Sequence, residues 1–343
     1  MHRDTAFAVA NPARIPLSRN NSGNRKRTNQ PPFPVSIMYA NFYKLRKEPF
    51  NVTPDPTFLF LSPSHKEAIG VLLYGIKSRK GFIAIIGEVG TGKTTMVRTY
   101  LNSINRGALK LIYLFNPNLT FNALLKNLLA EFDVKPASDE VNYMISQLHR
   151  CLIDQYRKGR NVTVIIDEAQ NMPLPTLESL RMLSNLETTR EKLLQIVLVG
   201  QPELEAMLMR HELRQLRNRI ALLAKIRPLT EKESLNYIQS RLDKVSLRKN
   251  NRIFTNEALR LIVKRAQGIP RTINILCDNA LITGYGYQSS VITADIIKEI
   301  IADREGLRPN KRSALFNAIG IVGLLAGLYL IITLLARQLE RLI

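Results

Sequence analysis

Two short stretches carry residue types that could do chemistry. The first is Gly87-Glu88-Val89-Gly90-Thr91-Gly92-Lys93-Thr94, continued by Thr95. Gly87 and Gly92 frame a loop whose backbone N–H groups can wrap phosphate oxygens, because no side chain blocks the approach. Lys93 adds a positive charge that reaches the terminal phosphates, and Thr94 supplies a hydroxyl for a magnesium ion. The second stretch is Val164-Ile165-Ile166-Asp167-Glu168, an apolar run that ends in two carboxylates. Asp167 suits a magnesium ion held through its water shell, and Glu168 suits orientation and polarisation of an attacking water. Alone, either stretch could be an ordinary turn. In this order they describe a P-loop site that binds ATP with magnesium and hydrolyses it.

A phosphate loop needs a strand before it and a helix after it, so that the helix N-terminus points at the anion. The apolar run at residues 82–86 leads directly into the loop. Further buried-strand runs lie at residues 109–115, 162–166, 194–199 and 220–226, with amphipathic helical stretches at 120–132, 140–157 and 175–186 between them. Strands alternating with helices predict an α/β fold, a parallel sheet covered on both faces. After Pro228 the strand runs stop. Helical patterns at 231–245, 256–266, 270–285 and 293–304, with Thr230, Thr255 and Thr293 as capping residues, predict a small all-helical second domain. The expected division is an α/β nucleotide-binding domain at 38–228 and a helical domain at 229–305.

The 343 residues carry a net charge of +21, which favours anionic partners such as nucleic acid, acidic lipid or an acidic protein. The two cysteines, Cys151 and Cys277, are too far apart in sequence for a metal-ligand spacing and read as buried thiols of a reducing compartment. Residues 1–37 are rich in Asn, Pro, Ser and Arg without apolar periodicity, which predicts disorder. Met38 opens the first segment that reads as folded, so the upstream stretch is alternatively an over-extended gene start. At the other end, the 23 residues from 314 to 336 contain no charge, and only Asn317 and Thr333 are clearly polar. About 20 such residues span a bilayer as a helix. Lys311 and Arg312 in the basic linker 306–313 place its N-terminal side, and the large domain, in the cytoplasm. The short tail 337–343 emerges opposite, which predicts a single-pass inner-membrane protein.

Several longer motifs resemble one family. Asp167-Glu168-Ala169-Gln170-Asn171 is followed by Leu177-Glu178-Ser179-Leu180-Arg181-Met182-Leu183-Ser184-Asn185-Leu186-Glu187 and by Gln195-Ile196-Val197-Leu198-Val199-Gly200-Gln201-Pro202-Glu203-Leu204. Upstream stand Phe42-Tyr43-Lys44-Leu45, Glu48-Pro49-Phe50 and Thr53-Pro54-Asp55-Pro56-Thr57-Phe58-Leu59. Together, from about residue 38 to 304, they resemble the AAA+ ATPases typified by general secretion pathway protein A.

That resemblance implies that the helical domain is a lid and assigns further roles. Gln201 is the expected sensor of the terminal phosphate. Asn116 is the expected polar residue that holds Glu168 inactive until the site is assembled. Arg271, in Gly268-Ile269-Pro270-Arg271, is the expected lid arginine on the phosphates; a solvated helix-start arginine is the plainer reading. One of Arg214, Arg217 and Arg219 is expected to reach a neighbouring subunit's ATP as a finger, with Arg219 first and Arg217 second. This implies a ring or side-by-side oligomer. Val52, Pro54 and His65 are candidates to enclose adenine and ribose. The family's peptidoglycan-binding domain has no counterpart in this sequence. The resulting expectation is a membrane-tethered ATPase that assembles or remodels a secretion, pilus or polysaccharide-export apparatus. The alternative is a DNA-associated ATPase resembling transposition-targeting proteins.

Overall fold

The computed structural model describes residues 35–51, 53, 55–103, 107–248 and 252–304 of the chain. Five strands, β1 (Phe82–Gly87), β2 (Leu109–Leu114), β3 (Asn161–Ile166), β4 (Leu194–Gly200) and β5 (Ile220–Ile226), form one sheet in the order β2-β3-β4-β1-β5. All four pairings are parallel. The central strands β1 and β4 are buried along their whole length, as expected of β-branched runs covered on both faces. The edge strand β5 alternates instead, because only one of its faces is fully packed.

Helices α2 (Pro63–Lys77) and α3 (Lys93–Ser103) cover one face of the sheet, with Leu72, Met96 and Leu101 packed on Ile85 and Val197. The other face carries α4 (Phe121–Ala130), α5 (Val141–Arg157), α6 (Leu174–Leu183), α7 (Pro202–Leu208) and α8 (Arg214–Arg217). In α5 the buried residues Met144, Leu148 and Leu152 recur every four positions, one stripe on an otherwise polar helix. Helix α6 stops at Leu183, short of the expected residue 186. There the Ser184 hydroxyl donates to the Arg181 carbonyl at 2.5 Å and Lys192 donates to the Ser184 carbonyl at 2.7 Å, which satisfies the last turn.

The helical domain comprises α9 (Glu231–Val245), α10 (Asn256–Ala266), α11 (Pro270–Gly286) and α12 (Ala294–Arg304). Thr230 caps α9 in a reciprocal capping box with Glu233, and Thr255 caps α10 by accepting from the Ala258 N–H at 3.2 Å.

A first helix, α1 (Val35–Phe42), begins ahead of Met38. The segment it opens was grouped by sequence with the α/β domain, yet it packs into the helical one. Tyr39, Tyr43, Phe50 and Phe58 share one core with Ile238, Ile273 and Ala280. Tyr39 donates to Asp278 at 2.7 Å and Tyr43 to the Ser289 carbonyl at 3.0 Å, so each ring is buried with its hydroxyl satisfied.

Where the chain enters the helical domain, Leu229 packs on Gly268, whose φ is 75°. A Cβ there would stand 2.1 Å from the Leu229 carbonyl oxygen, and the Leu229 N–H donates back to Gly268 at 2.8 Å. Only glycine meets both the left-handed backbone and the close approach. Cys277 is fully buried, whereas Cys151 is half-buried, so only one of the two expected buried thiols is fully enclosed. The apolar run 314–336 lies outside the described residues, and among those described no helix is long and apolar enough to cross a membrane.

Candidate functional site

Three strand ends converge on one point. Strand β1 runs into the glycine loop, β3 delivers Asp167 and β4 delivers Gln201. Because β4 lies between β1 and β3, with Ile86 opposite Gly200 and Leu198 opposite Ile166, Gln201 sits between the loop and the acidic pair.

The loop is held in shape from within and from below. Gly90 and Gly92 have φ of 77° and 94°, the left-handed conformations that turn successive N–H groups inward. Thr91 is buried, and its hydroxyl donates to the Glu88 carbonyl at 2.8 Å. Lys93, only 5% exposed, donates to the carbonyls of Gly87 at 2.7 Å and Glu88 at 2.9 Å. Burial pulls its pKa down, opposed by the carboxylates of Glu168 and Asp167. A cation in that position is matched by arriving phosphate.

The Thr94 hydroxyl donates to Asp167 Oδ2 at 2.7 Å, and Asp167 Oδ1 accepts from the Glu168 N–H at 3.0 Å. A hydroxyl and a carboxylate oxygen side by side are the hard donors magnesium takes, so Thr94 and Asp167 fit the ion. Glu168 stands in a left-handed conformation, φ 51°. Its Oε2 accepts from Gln170 Nε2 at 2.6 Å and from Gln201 Nε2 at 2.7 Å, while Gln170 Oε1 accepts from the Gln201 N–H at 3.2 Å. The three side chains thus form a closed cluster around one carboxylate.

Gln170 was not singled out by sequence reasoning. It lies in the single turn Ala169–Asn171, and its role appears only once β4 brings Gln201 beside it. Asn116, just past the end of β2, is exposed and its side-chain oxygen accepts from the Asn118 N–H at 3.3 Å. In this geometry the residues that hold Glu168 are Gln170 and Gln201.

A cleft of about 390 Å³ opens from the loop to the helical domain, lined by Thr94, Thr95 and Glu168 on one side and by Phe58, Tyr237 and Arg271 on the other. The AAA domain family matches residues 76–208, from the end of α2 through α7. General secretion pathway protein A of Aeromonas hydrophila is 38% identical over 272 residues, which is 79% of this chain and 49% of that protein. This chain is an AAA protein related to general secretion pathway protein A.

The chain spans about half the length of that curated relative. Among solved structures, the ORC2 protein of Aeropyrum pernix in ADPNP–ADP complexes superposes with a TM-score of 0.52 at 16% identity, covering 73% of this chain and 72% of that one. The ORC1 protein of Aeropyrum pernix in complex with DNA superposes at 0.54 and 14% identity, covering 76% and 70%. These likenesses establish the AAA fold.

In this AAA protein the helical domain is tied directly to the glycine loop. The Arg271 N–H donates to the Gly90 carbonyl at 3.2 Å, and a Cβ on Gly90 would stand 2.7 Å from Arg271 Cβ. Arg271 lines the cleft. His65, 3% exposed, has both ring nitrogens engaged: Nε2 lies 2.9 Å from the Thr91 carbonyl and Nδ1 2.7 Å from the Ser62 hydroxyl. A carbonyl only accepts, so the network assigns the proton to Nε2 and leaves Nδ1 to accept from Ser62. Burial lowers the pKa of His65 and keeps it neutral. His65 is therefore a strut under the loop, with no free nitrogen for a nucleotide. Val52 and Pro54 lie outside the described residues.

Arg214 and Arg219 are exposed, and Arg217 is half-buried with its Nη1 3.5 Å from the Met209 carbonyl. None of the three lines the cleft of its own chain. That position leaves them available to another copy.

Proposed function

We propose that this AAA protein binds ATP with magnesium in the cleft, hydrolyses it, and uses turnover to remodel a membrane-associated secretion, pilus or export assembly. The observation that carries the hydrolytic reading is the pairing of the Thr94–Asp167 hydrogen bond with a Glu168 carboxylate held by two amide side chains. A magnesium ion on Thr94 and Asp167 would supply neutralisation of phosphate charge. Lys93 and the loop N–H groups bind and orient the terminal phosphates. Gln201 senses their loss, and Glu168 accepts the proton of the attacking water once Gln170 and Gln201 release it. Arg271 couples this to the lid through its contact with Gly90. Arg219, or Arg217 as second choice, completes the site of a neighbouring copy, which supports a ring or side-by-side oligomer.

Phosphate release from ATP tests the hydrolytic reading. Release is expected to require magnesium and to stop on excess EDTA. Turnover by the magnesium-free protein would sink the assignment of Thr94 and Asp167.

The uncharged run 314–336 supports a single-pass anchor in the inner membrane, with the ATPase on the cytoplasmic side. The full chain is expected to sediment with membranes and to resist alkaline carbonate, whereas a chain ending at Arg308 is expected to be soluble. A full chain that stays in the soluble fraction would remove the tether. The net charge of +21 favours a second reading, an ATPase that acts on nucleic acid. DNA-stimulated phosphate release that collapses steeply with added salt would replace the first reading by the second.

A further inference from the structure

The wall of the cleft formed by the lid contains a buried arginine with no carboxylate beside it among the described residues. Arg241, on α9, is 5% exposed. Its Nη1 donates to the Tyr237 hydroxyl at 2.5 Å and to Asn274 Oδ1, on α11, at 2.8 Å. Its guanidinium carbon lies 4.6 Å from the centre of the Phe58 ring and 5.3 Å from that of Tyr237. The Nε–H is buried with no hydrogen-bond partner, and Nη2 has none among the described residues. The residue nevertheless lines the cleft.

Removing a guanidinium from water costs several kcal/mol unless its charge and donors are matched. Two bonds to neutral oxygens and two ring contacts answer this only in part, since a cation–π contact contributes ~0.5–2 kcal/mol. A rigidly held guanidinium with unused donors on a cleft wall is suited to an acceptor that arrives from outside. The surroundings indicate which part of a nucleotide that is. Arg271 meets the phosphate loop, and Asn274 lies one helical turn farther along α11. Phe58, Tyr237 and Leu229 bring aromatic and apolar surface to the cleft, beside the polar Asn51, Thr53 and Asp55, and rings next to an acidic group suit a base better than a phosphate.

We propose that Arg241 is a specificity-determining residue for the base, donating from its guanidinium to a ring-nitrogen acceptor of adenine. The inference rests on the reading of the cleft as the ATP site. The lid thereby holds the nucleotide at two points: Arg271 at the phosphates and Arg241 at the base. Tyr237 and Asn274 are positioning residues, because they fix Nη1 and so aim the rest of the fork. A lysine in the same place would keep the charge and lose the fork.

Affinities for magnesium-bound ATP, ADP and the 1-deaza, 3-deaza and 7-deaza analogues of ATP, measured on the full chain by fluorescence competition, test this. At least one deaza analogue is expected to bind the wild-type protein ~10-fold more weakly than ATP, the loss of one hydrogen bond to a charged group. Arg241→Met and Arg241→Lys are each expected to weaken ATP and ADP by the same ~10-fold factor and to erase the penalty of that analogue. Where the methionine variant does not fold, the lysine variant carries the comparison. ATP affinity unchanged in a folded variant, or a deaza penalty that persists in it, overturns the role of Arg241. Three deaza analogues that all bind the wild-type protein as tightly as ATP also overturn it. Failure of the wild-type protein to bind ATP at all would instead overturn the reading of the cleft.

Discussion

Glu168→Gln is expected to bind ATP within a few-fold of the wild-type affinity and to hydrolyse it ~10²–10⁴-fold more slowly, the usual contribution of a positioned general base. The near-isosteric exchange leaves the surroundings intact for a specific reason. The acceptor position that matters is a single oxygen, Glu168 Oε2, which takes donors from Gln170 at 2.6 Å and from Gln201 at 2.7 Å. A glutamine side-chain oxygen in that place satisfies both amides. The amide cannot take up a proton from water, so chemistry is lost while the fold and binding remain. Single-turnover phosphate release alongside equilibrium ATP binding separates the two effects. A glutamine variant that turns over at a wild-type rate would show that another group activates the water.

Lys93→Ala has the second large effect, and it falls on binding. The ammonium is almost wholly buried at the floor of the loop, where it donates to the carbonyls of Gly87 and Glu88. Charge-assisted hydrogen bonds contribute ~1.5–3 kcal/mol each, so losing two of them to phosphate corresponds to ~10²–10⁴-fold weaker ATP binding. Stability is expected to change much less. Burial already disfavours the charged amine, as its lowered pKa records, and alanine removes that cost together with the bonds. Calorimetric titration of ATP with a parallel melting curve checks both halves. ATP affinity within a few-fold of wild type would remove Lys93 from the phosphate site.

The two predictions differ in how early they can be made. The role proposed for Lys93 comes from the sequence, because a glycine loop between a strand run and a helix run leaves few alternatives for the lysine within it. The strands themselves were legible for a related reason. Runs such as 82–86 and 194–199 are buried on both faces and, apart from the buried Gln195, are apolar, so their boundaries follow from composition. The edge of the pattern was less secure: Phe115 reads as the end of β2 but is 65% exposed and stacks on Tyr113 with Arg98 over its ring. Periodicity cannot distinguish an aromatic ring that packs in the core from one that packs on its own strand neighbour.

The first helix shows a second limit. Tyr39, Tyr43, Phe50 and Phe58 are adjacent in sequence to the α/β domain, yet they complete the core of the lid some 200 residues later. Chain proximity favours local packing only when the local partner has apolar surface to cover. Here the sheet faces are already covered by α2 to α8, and the exposed core is that of α9 to α12.

By itself, then, the sequence determined which groups are on offer for the proposed chemistry: a glycine loop with its lysine at residues 87–95, the hydroxyl and carboxylate of Thr94 and Asp167, and the carboxylate of Glu168. Those assignments rest on local rules, since a loop, a strand end and a helix N-terminus are each built from consecutive residues. Tertiary structure decided how the groups are held. Inserting β4 between β1 and β3 places Gln201 on Glu168 and draws in Gln170. Packing α2 beneath the loop turns His65 into a strut, and the helical domain sets Arg241 in the cleft wall. Strand order and burial depend on contacts between residues far apart in the chain, and no local pattern of residue types encodes them.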